Sequence, residues 1–377
     1  MARDMKVWLF NLFPWSTYAD DEIPYPFPGS MYDRDAGREL YDGCLALDRR
    51  ADELGFDGIA VGEHHYATNS TLPSPNLMAA ALAVQTQNAK IVLLGNCLPL
   101  HHPIRLAEEL AMLDVLSHGR LVSGFIRGGP REYYSYGVDI RDGREKFEEA
   151  WELIVKAWTE PEPFAWHSAH YDYDLVSLVP RPLQQPHPKM LMAANTAESM
   201  EWAAQHHVGV ATFFSTVEAV KEQFDYYRRY AQDECGWTPS PEDTAVSRHV
   251  FVAPTDAQAK EIAAPYLQQL YGRRAQLWEK DEIRKMAEAR VTERSFAYST
   301  HGKRSMPIGA SRDDPLTKAE HHSILGSPDS VIRRIKEDQA AMGSGLQITS
   351  LPFGPMPPSV AMQSLELFGK EVLPHLR

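Results

Sequence analysis

The segment Phe56-Asp57-Gly58-Ile59-Ala60-Val61-Gly62-Glu63-His64-His65-Tyr66 decides how the rest of the chain is read. A short apolar run ends in a glycine, and a carboxylate with two adjacent histidines follows. Parallel strands are covered on both faces and therefore read as short apolar runs. In a parallel α/β barrel the residues just past the C-terminal strand ends form the active site. Two imidazoles delivered there exchange protons near neutral pH. A pair of hydrogen-bonded structural histidines fits the same letters, so this segment alone leaves both readings open.

Working outward, the same rhythm recurs from end to end. Apolar runs at 6–10, 58–61, 91–94, 121–125, 190–193, 209–212, 247–252 and 347–350 read as strands. Helical patterns at 35–54, 75–87, 104–116, 144–158, 197–205, 217–234, 256–271 and 329–342 lie between them, and 359–373 reads as a closing helix. Gly55 follows the first pattern as a helix-ending glycine, and Pro75 opens another where a proline is allowed. Eight strands alternating with helices predict an α/β fold, a (β/α)8 TIM barrel, in one domain over residues 1–377. Three stretches break the rhythm, at about 11–34, 160–188 and 273–325. Insertions after barrel strands are expected to be lids or substrate-binding segments, although surface decoration or a dimer contact reads alike. The second has room for a small hairpin.

Composition narrows the partners. The 377 residues are 44% hydrophobic and 24% charged, enough to bury a large core. Thirty-eight basic against 51 acidic residues leave a net charge of −13, which disfavours nucleic acid and anionic membrane surfaces. No apolar run of about 18 residues suggests a membrane span. Cys44, Cys97 and Cys235 are far apart, so neither a disulfide framework nor a cysteine metal site is expected, and a cytoplasmic, reduced protein is the simplest reading. Four histidine doublets occur, but adjacent strand residues point to opposite faces and seldom chelate one ion, so no metal is expected.

Three more segments carry chemistry. In Leu121-Val122-Ser123-Gly124-Phe125-Ile126-Arg127-Gly128-Gly129 a strand ends in an arginine that can bind phosphate bidentately, beside glycines that admit close approach. A strand-end arginine paired to a helix carboxylate would look the same. Arg120 precedes that strand and should lie at the opposite, stabilising face. In Met190-Leu191-Met192-Ala193-Ala194-Asn195-Thr196-Ala197-Glu198-Ser199 a strand runs into a helix start, which suits an anion, or needs only an N-cap from Asn195 or Thr196. In Ile91-Val92-Leu93-Leu94-Gly95-Asn96, Gly95 would let a flat ring lie against backbone, and Asn96 could hydrogen-bond ring heteroatoms, unless the pair is a simple turn.

Together, Glu63-His64-His65, Leu98-Pro99-Leu100-His101-His102-Pro103, Ser117-His118-Gly119-Arg120 through Arg127-Gly128, and Glu201-Trp202-Ala203-Ala204 resemble the bacterial luciferase-like monooxygenases. The resemblance covers nearly the whole chain. It implies an α/β barrel that binds reduced FMN (FMNH2), uses O2 as co-substrate, and oxygenates a small, largely apolar organic substrate through a C4a-hydroperoxyflavin. By the same resemblance, Arg127 holds the flavin phosphate with Thr196, Ser199 and the backbone near Asn195. Gly95 and Asn96 sit beside the isoalloxazine, at a position where a cis peptide is common in the family. His64 is the catalytic histidine and His65 its neighbour. A separate NAD(P)H-dependent flavin reductase and a homodimer, through the Ala-rich helix at 75–87, are also implied. Trp15, Tyr18, Tyr25, Phe27, Tyr133 and Tyr134 are expected to wall the substrate pocket. Ile126 stands where the luciferase has cysteine before its phosphate arginine, and Asn195-Thr196 where it has Glu-Ser, so light emission is not expected. A deazaflavin-dependent hydride-transfer oxidoreductase on the same fold is the alternative, and a barrel without activity a third possibility.

Overall fold

The computed structural model describes residues 5–17, 26–277 and 321–377. Twelve strands occur among them: β1 (Lys6–Phe10), β2 (Gly58–Val61), β3 (Lys90–Leu93), β4 (Asn96–Cys97), β5 (Leu121–Ile126), β6 (Phe164–His167), β7 (Asp172–Val176), β8 (Lys189–Ala193), β9 (Gly209–Phe213), β10 (Thr244–Val252), β11 (Ser323–Gly326) and β12 (Leu346–Ser350). Parallel pairing runs β12, β1, β2, β3, β5, β8, β9, β10, and β10 pairs back to β12, closing an eight-stranded barrel. All eight predicted strands are in the ring, so the fold is the expected (β/α)8 barrel.

Alternation along the strands builds two apolar layers. Trp8, Phe10, Ala60, Val92, Val122, Leu191, Ala211, Ala245 and Ile348 fill the barrel interior. Their neighbours Val7, Leu9, Ile59, Val61, Ile91, Leu93 and Leu121 face outward into the larger core beneath the helices. At the upper rim β3 and β5 approach so closely that a Cβ on Gly124 would stand 1.8 Å from the Leu93 carbonyl oxygen. One on Gly95 would stand 2.4 Å from the Gly124 oxygen, so neither position has room for a side chain. The Leu94–Gly95 peptide is cis.

The described helices are α1 (Arg34–Leu54), α2 (Pro75–Gln85), α3 (Pro103–Leu116), α4 (Pro130–Tyr136), α5 (Gly143–Thr159), α6 (Ala197–Gln205), α7 (Val217–Asp233), α8 (Asp256–Leu277), α9 (Pro328–Met342) and α10 (Pro358–Leu367). Local chemistry sets their ends. The Asp33 carboxylate caps α1 through the Ala36 N–H, and Gly55 ends it at φ 90° in the left-handed region. Arg120 lies at the lower face, as expected, and donates to the carbonyls of Ala83, Thr86 and Ala89 at the end of α2.

The departures are local. β6 and β7 form the antiparallel hairpin for which residues 160–188 had room. β4 is two residues long, and β11 pairs with the outer half of β10 from within a stretch read as insertion. Trp15 and Tyr133 do not wall a pocket: both are 1% exposed. Trp15 stacks on Tyr32 with ring centres 4.6 Å apart, and the Tyr133 hydroxyl donates to the Arg127 carbonyl at 2.6 Å. Tyr18, Tyr25 and residues 278–320 lie outside the described residues.

Candidate active site

β2 ends at Val61, and the next four residues enter the upper face, where they join two separate hydrogen-bond networks built on buried glutamates. In the first, Glu63 is 2% exposed and accepts at both oxygens. Its Oε1 lies 2.9 Å from His65 Nε2, and its Oε2 lies 2.8 Å from His101 Nε2 and accepts the Cys97 N–H at 2.9 Å. Burial alone would raise the pKa of this carboxyl. The hydrogen bonds from His101 and His65, with the Cys97 N–H, overcome it and hold the group down to about 2. Burial works against protonated His101, yet the Glu63 carboxylate prevails and raises its pKa. The second ring nitrogen of His65, Nδ1, receives the Tyr136 hydroxyl at 3.1 Å. Glu63 thus ties the end of β2 to β4 and the turn before α3.

The second network surrounds His64. Its Nδ1 lies 3.3 Å from Glu132 Oε1 and 3.4 Å from Arg131 Nη2. Arg131 also donates to Glu132 Oε1 at 3.1 Å and to Asn69 Oδ1 at 3.2 Å. Glu132 sits at the third position of α4, where its Oε2 accepts the Gly129 N–H at 3.1 Å. Burial would raise its pKa, but the Arg131 charge and the His64 hydrogen bond drive it well below the carboxylate range. The sequence reading passed over Glu132 because α4 has only seven residues. Its signal was Pro130 at a helix start with an acid two residues later.

The residues singled out for a phosphate lie on neighbouring strands. β5 and β8 pair in register, Gly124 with Leu191 and Phe125 with Met192. Arg127 follows β5 and the Asn195–Thr196 turn follows β8, so both emerge side by side at the upper face. Thr196 caps α6, its side chain accepting the Ser199 N–H. Ser199 is 2% exposed and is spent on that cap, its Oγ 2.6 Å from Thr196 Oγ1. The first N–H groups of α6 have no partner within the helix. Asn195 is exposed. Asn96 is fully buried; its amide nitrogen donates to Asn76 Oδ1 of α2 at 3.1 Å, while its Oδ1 has no hydrogen-bond partner among the described residues.

Above the barrel interior a cleft is walled by Leu12, Pro14, Leu270, Pro352 and Phe353, with Asn69, His249 and Ser350 as its polar groups. His249 stacks on Phe214 at 4.1 Å between ring centres. Asn69 joins this cleft to the His64 network through Arg131. Among the described residues no group of three His, Cys, Asp or Glu side chains is arranged to hold a metal ion, and no helix is long and apolar enough to cross a membrane.

Residues 28–344 match the family model described as luciferase-like monooxygenase. An uncharacterised Sinorhizobium fredii protein, y4wF, is 35% identical over 180 residues, 48% of this chain and 52% of its own length, so the chain spans about half of that relative. The 2,5-diketocamphane 1,2-monooxygenase 1 of Pseudomonas putida is 25% identical over 361 residues, 90% of this chain and 95% of that one. The oxygenase component of the flavin-dependent trigonelline monooxygenase of Acinetobacter baylyi is 29% identical over 236 residues, 61% of this chain and 64% of that one. In structure, the oxygenating constituent of 3,6-diketocamphane monooxygenase of Pseudomonas putida, in complex with FMN, superposes with a TM-score of 0.74 at 24% identity, covering 99% of each chain.

Proposed function

We propose, from the premise that this chain belongs to the luciferase-like monooxygenase family, that it is a flavin-dependent monooxygenase using reduced FMN and O2 to oxygenate a small, largely apolar organic molecule. The observation that carries the reading is His64 at the upper face of the barrel, held at one nitrogen by a buried carboxylate and open at the other.

The residues fit a phosphate-bearing planar cofactor. Arg127 and the start of α6 converge at one rim of the barrel, and the Gly95–Gly124 approach leaves side-chain-free backbone beside them. Arg127 would meet the phosphate with parallel N–H donors, and Thr196 with the first N–H groups of α6 would complete the grip. Ser199 shapes that turn through its cap. When bound, reduced flavin supplies the electrons and activates O2 for insertion into the substrate. His64 Nε2 holds or takes up a proton at the reacting centre, while Glu132 stabilises the charged ring. Leu12, Leu270 and Phe353 give the small hollow beside Asn69 an apolar lining.

Electrons must reach the flavin from a second protein, and the relative named an oxygenase component supports a separate NAD(P)H-dependent flavin reductase. A homodimer through α2 and α3 is supported by their outer face. There Leu77 is 77%, Val84 70%, Met112 50% and Leu116 44% exposed, an apolar surface unusual on a monomer.

The test is His64→Ala, assayed separately for reduced-FMN binding and for oxygenated product against a panel of apolar ketones and aldehydes. Binding should persist while product formation falls ~10²–10⁴-fold, the usual contribution of a positioned acid or base. Unchanged product formation would remove His64 from the chemistry.

A further inference from the structure

We propose that two buried glutamates lock the adjacent histidines into opposite tautomers, and that this makes His64 a proton-transfer group and His65 a positioning residue. The proposal deepens the reading of His64 given above and rests on it. Two identical side chains in sequence have no intrinsic reason to differ. Their partners do differ, and at different ring nitrogens: Glu132 meets His64 at Nδ1, whereas Glu63 meets His65 at Nε2.

Both glutamates are ionised at neutral pH, because their hydrogen-bond and charge partners outweigh burial. An ionised carboxylate only accepts. The nitrogen that faces it must therefore carry the proton. For His65 that nitrogen is Nε2, and the bare Nδ1 then accepts the Tyr136 hydroxyl. At 4% exposure both nitrogens of His65 are engaged within the protein, and its ring fixes Tyr136. For His64 the protonated nitrogen is Nδ1, which leaves Nε2 bare. Nε2 has no hydrogen-bond partner among the described residues, and the side chain is 30% exposed. A proton taken at Nε2 gives an imidazolium whose Nδ1–H still points at Glu132, so the ring need not turn. The logic is that of a base oriented by a third group.

Arg131 sharpens the assignment. It stands 3.4 Å from the same His64 nitrogen and can only donate to it. With Glu132 present, Nδ1–H wins, since the carboxylate accepts from ring and guanidinium together. Without Glu132 the arginine is the sole neighbour, and the ring must switch to Nε2–H to accept from it.

The experiment is long-range ¹H–¹⁵N NMR on flavin-free protein labelled with ¹⁵N-histidine, the two rings identified by their loss in His64→Gln and His65→Gln. Wild type should show His64 protonated at Nδ1 and His65 at Nε2. Glu132→Ala should move His64 to Nε2–H and leave His65 unchanged. An Nε2–H His64 in wild type, the same tautomer for both rings, or a His64 that ignores Glu132→Ala would overturn the proposal. If Glu132→Ala does not fold, the wild-type spectrum decides alone. The measurement uses neither flavin nor oxygen, so a chain that fails to oxygenate would leave the tautomers standing. A wrong tautomer would remove this assignment without touching flavin binding.

Discussion

Glu63→Gln is the most informative single change for stability. The wild-type carboxylate accepts from His65, His101 and the Cys97 N–H while 2% exposed. An amide keeps the shape but has one accepting oxygen and a nitrogen that only donates, so at least one of these contacts is lost or must be remade with a ring in its other tautomer, without the carboxylate charge. The depression of the Glu63 pKa from 4.5 to about 2 corresponds to ~3 kcal/mol of stability at neutral pH. Breaking a buried pair by removing one charge costs ~3–5 kcal/mol, the same order. The sign follows from the direction. A carboxyl whose folded pKa is lowered stabilises the fold fully above its unfolded value of 4.5, and loses that contribution as pH falls toward about 2. The assay is urea unfolding of both proteins at pH steps from about 7 down to about 3, comparing midpoints at constant slope. Wild type should lead by ~3 kcal/mol at neutral pH, and the gap should shrink through the acid range. His101 contributes in the opposite sense, since its raised pKa stabilises below 6.5 and fades as pH rises through its folded value. A neutral-pH gap under ~1 kcal/mol, the cost of an ordinary substitution, or a gap constant with pH would refute the reasoning.

Two further outcomes follow from the site and the outer face. Arg127→Ala should weaken reduced-FMN binding by ~2–4 kcal/mol, the scale for losing a hydrogen-bonded charge partner, and equal affinity in a titration would reject the phosphate assignment. Leu77→Asp combined with Val84→Asp should convert a dimer to a monomer in sedimentation velocity, since both side chains are more than two-thirds exposed and neither supports the core. An unchanged sedimentation coefficient would place any dimer contact elsewhere.

Much of the architecture was legible because it rests on short-range pattern. β1 and β2 coincide with the predicted 6–10 and 58–61, since each is an apolar run closed by a turn or by polar residues. Gly55 and Pro75 marked helix ends for local reasons that hold in the structure. What failed depended on distance. β11 is a strand only because the outer half of β10 reaches past the ring to pair with it. Aromatics in the 11–34 insertion suggested a pocket wall, but Trp15 found Tyr32 and was buried. The site was half legible. His64, His65 and Arg127 were singled out because their types suit the expected chemistry. Their governing partners, Glu132 and His101, lie 68 and 38 residues from His64 and Glu63 respectively and are joined only by the closed barrel. Ser199 was read as a ligand from its hydroxyl, and in the fold that hydroxyl also takes part in the cap of α6.

The most direct measurement of the central claim is an anaerobic titration of the purified protein with reduced FMN and, separately, with a reduced deazaflavin, each complex then mixed rapidly with oxygen. The account predicts tight reduced-FMN binding and a transient absorbance from an oxygen adduct of the bound flavin before oxidised flavin appears. Preference for the deazaflavin, with no oxygen adduct, would contradict it and make the chain a hydride-transfer enzyme.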